Sequence, residues 1–409
     1  MFQRKLGGAI AIAALVAAAC SPGTPTAGPA TGAPATGAPA TAAPTPGPSM
    51  ATSVGAGEGE LVVLAWPSYV EQGKTDPAVN WMTEWETATG CKTTVETFGT
   101  SDVAFAKWTA DPTRYDVISA SGDAGPRLVR GGYVQAVNTD LIPSYADIFP
   151  GLKEQSYNTF GGVHYGVPHG RGANLLMWRS ADVTPAPTKW AQIFDPAGPY
   201  AGKYSVYDAP IYIADAAVVL MTTNPELKIT NPYALDDSQF AAAIALLETQ
   251  KPAVGEYWSD YVKQITAFTN GDTVIGTGWQ TIANYLNFLK VPVQTVKPEE
   301  GATGWSDTWM INAKSEHPNC AYKFIDHITS APVNAKIAEY FGEAPGNSKS
   351  CALTVNKNHC VDFHAEDEAW WEDVYYWATP EATCLDGRTD VKCKGFDDWI
   401  KAWTEVRSQ

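Results

Sequence analysis

The residues in this chain able to do chemistry are aromatic and acidic side chains that recur where short apolar runs end. Trp66, Ser68 and Tyr69 follow the run Leu61–Ala65, Ser121 and Asp123 follow Tyr115–Ser119, Asp208 follows Lys203–Tyr207, and Trp279 follows Asp272–Thr277. Faces of such rings attract cations, by about 0.5 to 2 kcal/mol each depending on desolvation, and a carboxylate supplies the matching anion. An apolar, aromatic-walled slot with carboxylates is what the methylenes and ammonium groups of an amine require. A single tryptophan is most often a large core residue, and an aspartate after a strand is often a turn former. Repetition at successive strand ends is what points to a site. The signatures of other chemistry are missing: there is no Gly-x-Ser-x-Gly elbow, no His-Glu-x-x-His pair and no Walker loop, which argues against hydrolase, zinc-protease and nucleotide-hydrolysing activity.

The elements that must carry these residues follow from periodicity. Leu61–Ala65 reads as a strand. Val79, Met82, Trp85 and Ala88 mark one face of a helix that stops at Gly90, Thr93–Phe98 alternates like a strand, Ser101 opens a helix as its N-cap, and Tyr115–Ser119 is a third strand. Strand, helix, strand, helix, strand predicts a parallel sheet, whose ligands bind beyond the carboxyl ends of its strands. The second half repeats this order. Lys203–Tyr207 and Asp272–Thr277 are strands, each followed by a helix. Trp305–Asn312 reads as one further strand and Pro318–Ile328 as a helix.

Composition sets the compartment and the scale. Arg4 and Lys5 precede fourteen small or apolar residues, Leu6–Ala19, and then Cys20. That run is too short to cross a bilayer, which takes about 20 residues, so residues 1–19 read as an export signal and Cys20 as the lipidated first residue of the mature chain. Ala17 departs from the usual leucine, and an ordinary secreted protein is the alternative. Residues 20–58 are dominated by Pro, Thr, Ala and Gly, a tether that spans roughly 30 to 40 Å. The remainder, about 350 residues from Gly59, exceeds a single compact core and favours two lobes. The net charge of −16 argues against nucleic acid or anionic lipid as a partner and is compatible with a cationic ligand; a solvated acidic surface is the plainer reading. Seven cysteines less Cys20 leave six. Cys351 with Cys360 and Cys384 with Cys393 suit local loops, and Cys91 with Cys320 is then the remaining pair. Zinc is the competing explanation, although no two cysteines have its close spacing.

Trp66-Pro67-Ser68-Tyr69, Tyr115-Asp116-Val117-Ile118 followed by Ser121, Tyr165-Gly166-Val167-Pro168, Gly304-Trp305-Ser306-Asp307 with Asn312-Ala313-Lys314, and the turn Gly342–Asn347 occur in an order that resembles the spermidine/putrescine-binding proteins of polyamine-uptake ABC transporters, a branch of the type II solute-binding proteins. The resemblance runs from about Leu61 to Asn347. It implies an α/β fold with two lobes, each a mainly parallel sheet flanked by helices, joined by crossover hinge strands and closing on a solute. Lobe 1 would take residues 59–166 and 308–347 and lobe 2 residues 167–307. Residues 348–409, with Trp370, Trp371, Tyr375, Tyr376 and Trp377, would pack across the hinge. The resemblance makes Asp307 the amine-binding aspartate and sets Glu343 in place of a family tyrosine; the positions of the residues themselves offer Trp66, Tyr69, Trp279 and Trp305 as walls and Asp208 and Asp123 as further acids. The resemblance also implies an ABC permease as partner, a monomer, no cofactor and no enzymatic step.

Departures from the family leave the solute open. Ile211 and Ile282 stand where relatives carry further acids. Arg171 stands where the family usually has an aromatic residue; pointing inward it would repel a diamine and clasp a carboxylate, favouring an amino-acid-like zwitterion, whereas pointing outward it leaves the polyamine reading intact. Some relatives of this fold bind iron through adjacent tyrosines. Tyr375-Tyr376 is such a pair, in helix-like surroundings that suit packing better. Sensing the solute for a receptor is the alternative to delivering it.

Overall fold

Three sheets organise the chain in the computed structural model, which describes residues 50–74 and 76–408. The expected signal, Cys20 and the tether up to residue 49 lie outside the described residues. The first sheet has the strand order Lys92–Thr97, Glu60–Ala65, Val117–Ala120, Thr308–Ile311, Val167–Pro168. Its first three strands are parallel, and Thr308–Ile311 runs antiparallel to both of its neighbours. Leu61, Val63, Leu64, Val117 and Ile118 are fully buried, the continuous apolar pattern of strands covered on both faces. The second sheet has the order Val254–Trp258, Tyr204–Tyr207, Ile275–Gly278, Leu175–Arg179, Val293–Val296, with Leu175–Arg179 antiparallel to both of its neighbours and the other strands running one way.

A third sheet, Ala344–Pro345, Gly170–Ala173, Ala302–Trp305, Val374–Tyr376, joins the other two. Gly170–Ala173 lies between a strand of the first sheet and one of the second, and Ala302–Trp305 carries the chain back. The result is two α/β lobes connected by crossover strands. Trp305–Asn312, expected as a single strand, is therefore two, Ala302–Trp305 and Thr308–Ile311. The chain leaves one sheet for another between them, which frees Ser306 and Asp307 from ladder pairing.

Smaller differences have local causes. The first helix spans Thr83–Thr89 and ends at Gly90 in the left-handed conformation, φ 75°, so Val79 lies before it. Thr100 rather than Ser101 caps the next helix, accepting from Val103 N. The tether was expected to reach Glu58, yet residues 50–58 lie against the lobe that holds Pro318–Ile328. Glu58 accepts from Asn319 N and Cys320 N, both at 2.9 Å, placing a carboxylate where that helix leaves its first N–H groups unpaired. The C-terminal segment, expected to be helical, contributes the strand Val374–Tyr376, so Tyr375-Tyr376 lies in a strand. The helix Phe396–Ser408 follows. Disulfides join Cys91 to Cys320, Cys351 to Cys360 and Cys384 to Cys393, with Cα separations of 5.8, 5.7 and 5.1 Å.

Candidate functional site

Asp307 lies at the break between the two strands and is buried. Its carboxylate is held from the first lobe: Ser121 donates to Oδ1, Tyr69 OH donates to Oδ2 at 2.7 Å, and Trp66 Nε1 donates to Ser121 Oγ at 3.2 Å. Burial pushes the Asp307 carboxyl up to about 6, with the nearby Glu343 charge adding to the rise and the Ser121 and Tyr69 hydrogen bonds opposing it. Beneath Tyr69, whose hydroxyl lies 3.3 Å from Glu343 Oε2, Glu343 is fully buried and its Oε1 faces His169 Nε2 at 3.2 Å. Trp309 Nε1 donates to His169 Nδ1 at 2.9 Å, leaving Nε2 as the N–H turned toward Glu343. Glu343 thus supports Tyr69 and does not line the recess.

Above Asp307 is a narrow recess with a cavity volume of about 10 Å³, room for about one water, bounded by Trp66, Trp279, Trp305, Phe341, Trp377, Ser121 and Asp307. Trp66 of the first lobe meets Trp279 of the second edge-on, ring centroids 6.0 Å apart, and Trp279 is fixed by donating from Nε1 to Asn174 Oδ1 at 2.9 Å. Two glycines permit this packing. A Cβ on Gly172 would collide with the Trp305 indole, and one on Gly122 with the Trp377 carbonyl oxygen. The recess shares Trp66, Trp279 and Phe341 with a wider mouth lined also by Ser68, Phe98, Asp260 and Tyr261.

The expected residues divide cleanly. Trp66, Ser121, Trp279, Trp305 and Asp307 converge on the recess, Tyr69 braces Asp307, and Ser68, in a left-handed conformation at φ 73°, lies at the mouth. Asp123 does not join them. It is buried against the start of the helix Ser101–Ala110, accepting from Ser101 Oγ at 2.7 Å, and burial together with the Asp102 charge raises its carboxyl to about 7. Asp208 is drawn away by the C-terminal helix, where Arg407 Nε and Nη2 lie at 2.9 and 3.1 Å and Trp403 Nε1 at 3.2 Å. Arg171 also leaves the recess. Its guanidinium pairs with Glu368, donates to Ala365 O at 3.0 Å and stacks over Trp371.

Sequence reasoning missed Phe341, Trp377 and Asp260. Phe341 ends a helix and shows no strand-end signal. Trp377 sits in the aromatic run of the C-terminal segment and read only as packing. A further buried acid, Asp215, accepts from Thr303 Oγ1 at 2.9 Å and is raised to about 7 by burial.

The family model for bacterial extracellular solute-binding proteins matches residues 80–360. A spermidine/putrescine-binding periplasmic protein of Haemophilus influenzae is 22% identical over 333 residues, 79% of this chain and 87% of the relative. A putrescine/cadaverine-binding protein of Pseudomonas aeruginosa is 22% identical over 364 residues, 85% of this chain and 93% of the relative. Among solved structures, a spermidine/putrescine ABC transporter substrate-binding protein from Streptococcus pneumoniae superposes with a TM-score of 0.65 at 17% identity, covering 86% of this chain and 98% of its own, which establishes the shared fold. Two lobes joined by crossover strands, with a recess where they meet, fit that match, and the chain belongs to the bacterial extracellular solute-binding protein family.

Proposed function

We propose that the chain is the solute-capturing component of an ABC importer, taking a small amine-bearing solute between its lobes and passing it to a membrane permease without a covalent step. The observation that carries this reading is a single buried aspartate, Asp307, on the floor of an otherwise aromatic recess between the lobes. The relatives named for spermidine, putrescine and cadaverine make polyamines the first solutes to test. In this reading lobe 1 takes residues 59–166 and 308–347, lobe 2 residues 167–307, and residues 348–409 brace the hinge. Cys20 anchors a monomer to the outer face of the cell membrane, and among the described residues no helix is long and apolar enough to cross it. The zwitterion alternative loses its clasp, because Arg171 is spent on Glu368.

Thermal denaturation with polyamines, amino acids and sugars tests this. A captured solute at 100 times its dissociation constant adds about 2.7 kcal/mol of stability, and Asp307→Asn should remove the response to any amine. A response to neutral sugars alone, or an undiminished amine response in Asp307→Asn, would overturn the proposal.

A further inference from the structure

Trp279 lines both the recess over Asp307 and the mouth beyond it, a cavity of about 350 Å³, so a solute drawn between the lobes meets its ring. Three aromatic neighbours confine that ring: Trp258, Tyr207 and Trp66, with centroids 5.0, 5.7 and 6.0 Å away. Apolar packing is non-directional and does not choose which edge of an indole carries the N–H. A chain of hydrogen bonds makes that choice. Trp279 Nε1 donates to Asn174 Oδ1 at 2.9 Å, Asn174 Nδ2 donates to Thr303 Oγ1 at 2.6 Å, and Thr303 Oγ1 donates to Asp215 Oδ1 at 2.9 Å. All four side chains are buried. The chain runs through the hinge, because Asn174 directly follows the crossover strand Gly170–Ala173, Thr303 lies in the returning strand Ala302–Trp305, and Asp215 lies in the first turn of the helix Ile213–Thr223. Asn174 N also donates to Thr303 O at 2.8 Å, which holds the two middle residues side by side.

The direction of the chain is set at its far end. An ionised carboxylate only accepts, so Thr303 gives its hydroxyl proton to Asp215 and is left with an oxygen that accepts. Asn174 must then turn its amide nitrogen to Thr303 and its oxygen to the indole, which only donates. Without Asp215 the Thr303 proton is free to go to Asn174 Oδ1. The amide reverses, its NH2 group faces the Trp279 N–H, and a buried donor is left unmet, which costs more than the bond it replaced. We infer that Asp215, which lines neither the recess nor the mouth, is a positioning residue for solute capture: through Thr303 and Asn174 it fixes the orientation of the Trp279 wall. This deepens the amine-capture reading above and rests on it for the nature of the guest.

The test uses the full chain at a pH above the value of about 7 to which burial raises Asp215, with two readouts. One is the indole ¹⁵N–¹H resonance of Trp279, identified by its loss in Trp279→Phe; the other is calorimetric affinity for putrescine and spermidine. Asp215→Leu and Thr303→Val should both move the resonance and weaken both polyamines about fivefold. Asp215→Asn, which keeps an acceptor for Thr303, and Thr303→Ser, which keeps the hydroxyl, should restore both readouts. Thr303→Val has nearly the native shape and carries the test should Asp215→Leu fail to fold. An unmoved resonance in the Leu and Val variants overturns the inference. So does a moved resonance with unchanged affinity, since the orientation of the ring would then not serve capture. Either result leaves amine capture standing. A wild-type chain that binds neither polyamine defeats the capture reading instead, with the resonance still deciding whether Asp215 orients the ring.

Discussion

Asp307 combines two opposing needs, a carboxylate to attract a cation and a dry setting that makes the attraction strong. Burial holds its pKa near 6, with Glu343 adding to the rise and Ser121 and Tyr69 limiting it; His169 faces Glu343 from the other side. A bound cation favours the ionised form, so capture below pH 6 must release a proton. Affinity for a cationic solute should be level above about pH 7 and fall roughly tenfold per unit below pH 6, and titration calorimetry across that range checks it; Asp307→Asn should be weak and flat. The same shift acts on stability with its own sign. The folded pKa exceeds the unfolded value, so without solute the contribution of Asp307 is fully present below about pH 4 and is lost as the pH rises through 6. An affinity independent of pH would mean that Asp307 does not face the cation. This residue was singled out through the resemblance of Gly304-Trp305-Ser306-Asp307 to the family's motif, whereas the fate of Asp208 was not legible. Asp208 does follow a strand, but Arg407 and Trp403, nearly two hundred residues further on, take its oxygens, and no local pattern records such a partner.

At the scale of elements, the strands Glu60–Ala65, Lys92–Thr97, Val117–Ala120, Tyr204–Tyr207 and Ile275–Gly278 were legible as short apolar or alternating runs. The connecting sheet was not. Its strand Val374–Tyr376 pairs in parallel with Ala302–Trp305, and only that pairing brings Trp377 to the recess. Trp377 N donates to Gly304 O at 2.7 Å, which fixes the wall residue relative to Trp305. The segment leading into this strand is held by Arg171, which is 1% exposed and contacts Glu368, Ala365 O and Trp371. Arg171→Met removes these bonds and leaves Ala365 O without its partner, so it should lower stability by about 1–3 kcal/mol, measured by urea denaturation. Because the strand also positions Trp377, affinity should fall several-fold while the preference among solute classes is unchanged. Selective loss of carboxylate-bearing ligands in Arg171→Met would instead return that guanidinium to the site.

For the whole molecule, the chain enters the first sheet, leaves it for the second, and returns at Thr308–Ile311. The Cys91–Cys320 disulfide spans that excursion, joining residues 229 apart. It ties the corner between the first helix and the strand Lys92–Thr97 to the start of Pro318–Ile328, so both ends belong to the lobe built on the first sheet. A Cβ on Gly57 would approach Cys91 Sγ to 2.5 Å, showing how closely the preceding chain lies over the bridge. A link of this kind limits the unfolded chain and leaves the recess and the approach of the lobes untouched. Replacing both cysteines by serine should therefore cost about 2–4 kcal/mol of stability, read from denaturant unfolding followed by tryptophan fluorescence. Solute-induced stabilisation should persist under native conditions, because all seven residues lining the recess remain in place. Removing either nine-residue bridge should cost less, since a short loop withdraws less entropy from the unfolded state. If the double serine variant kept its stability but lost its response to solute, the bridge would be positioning the site and would not be independent of the recess.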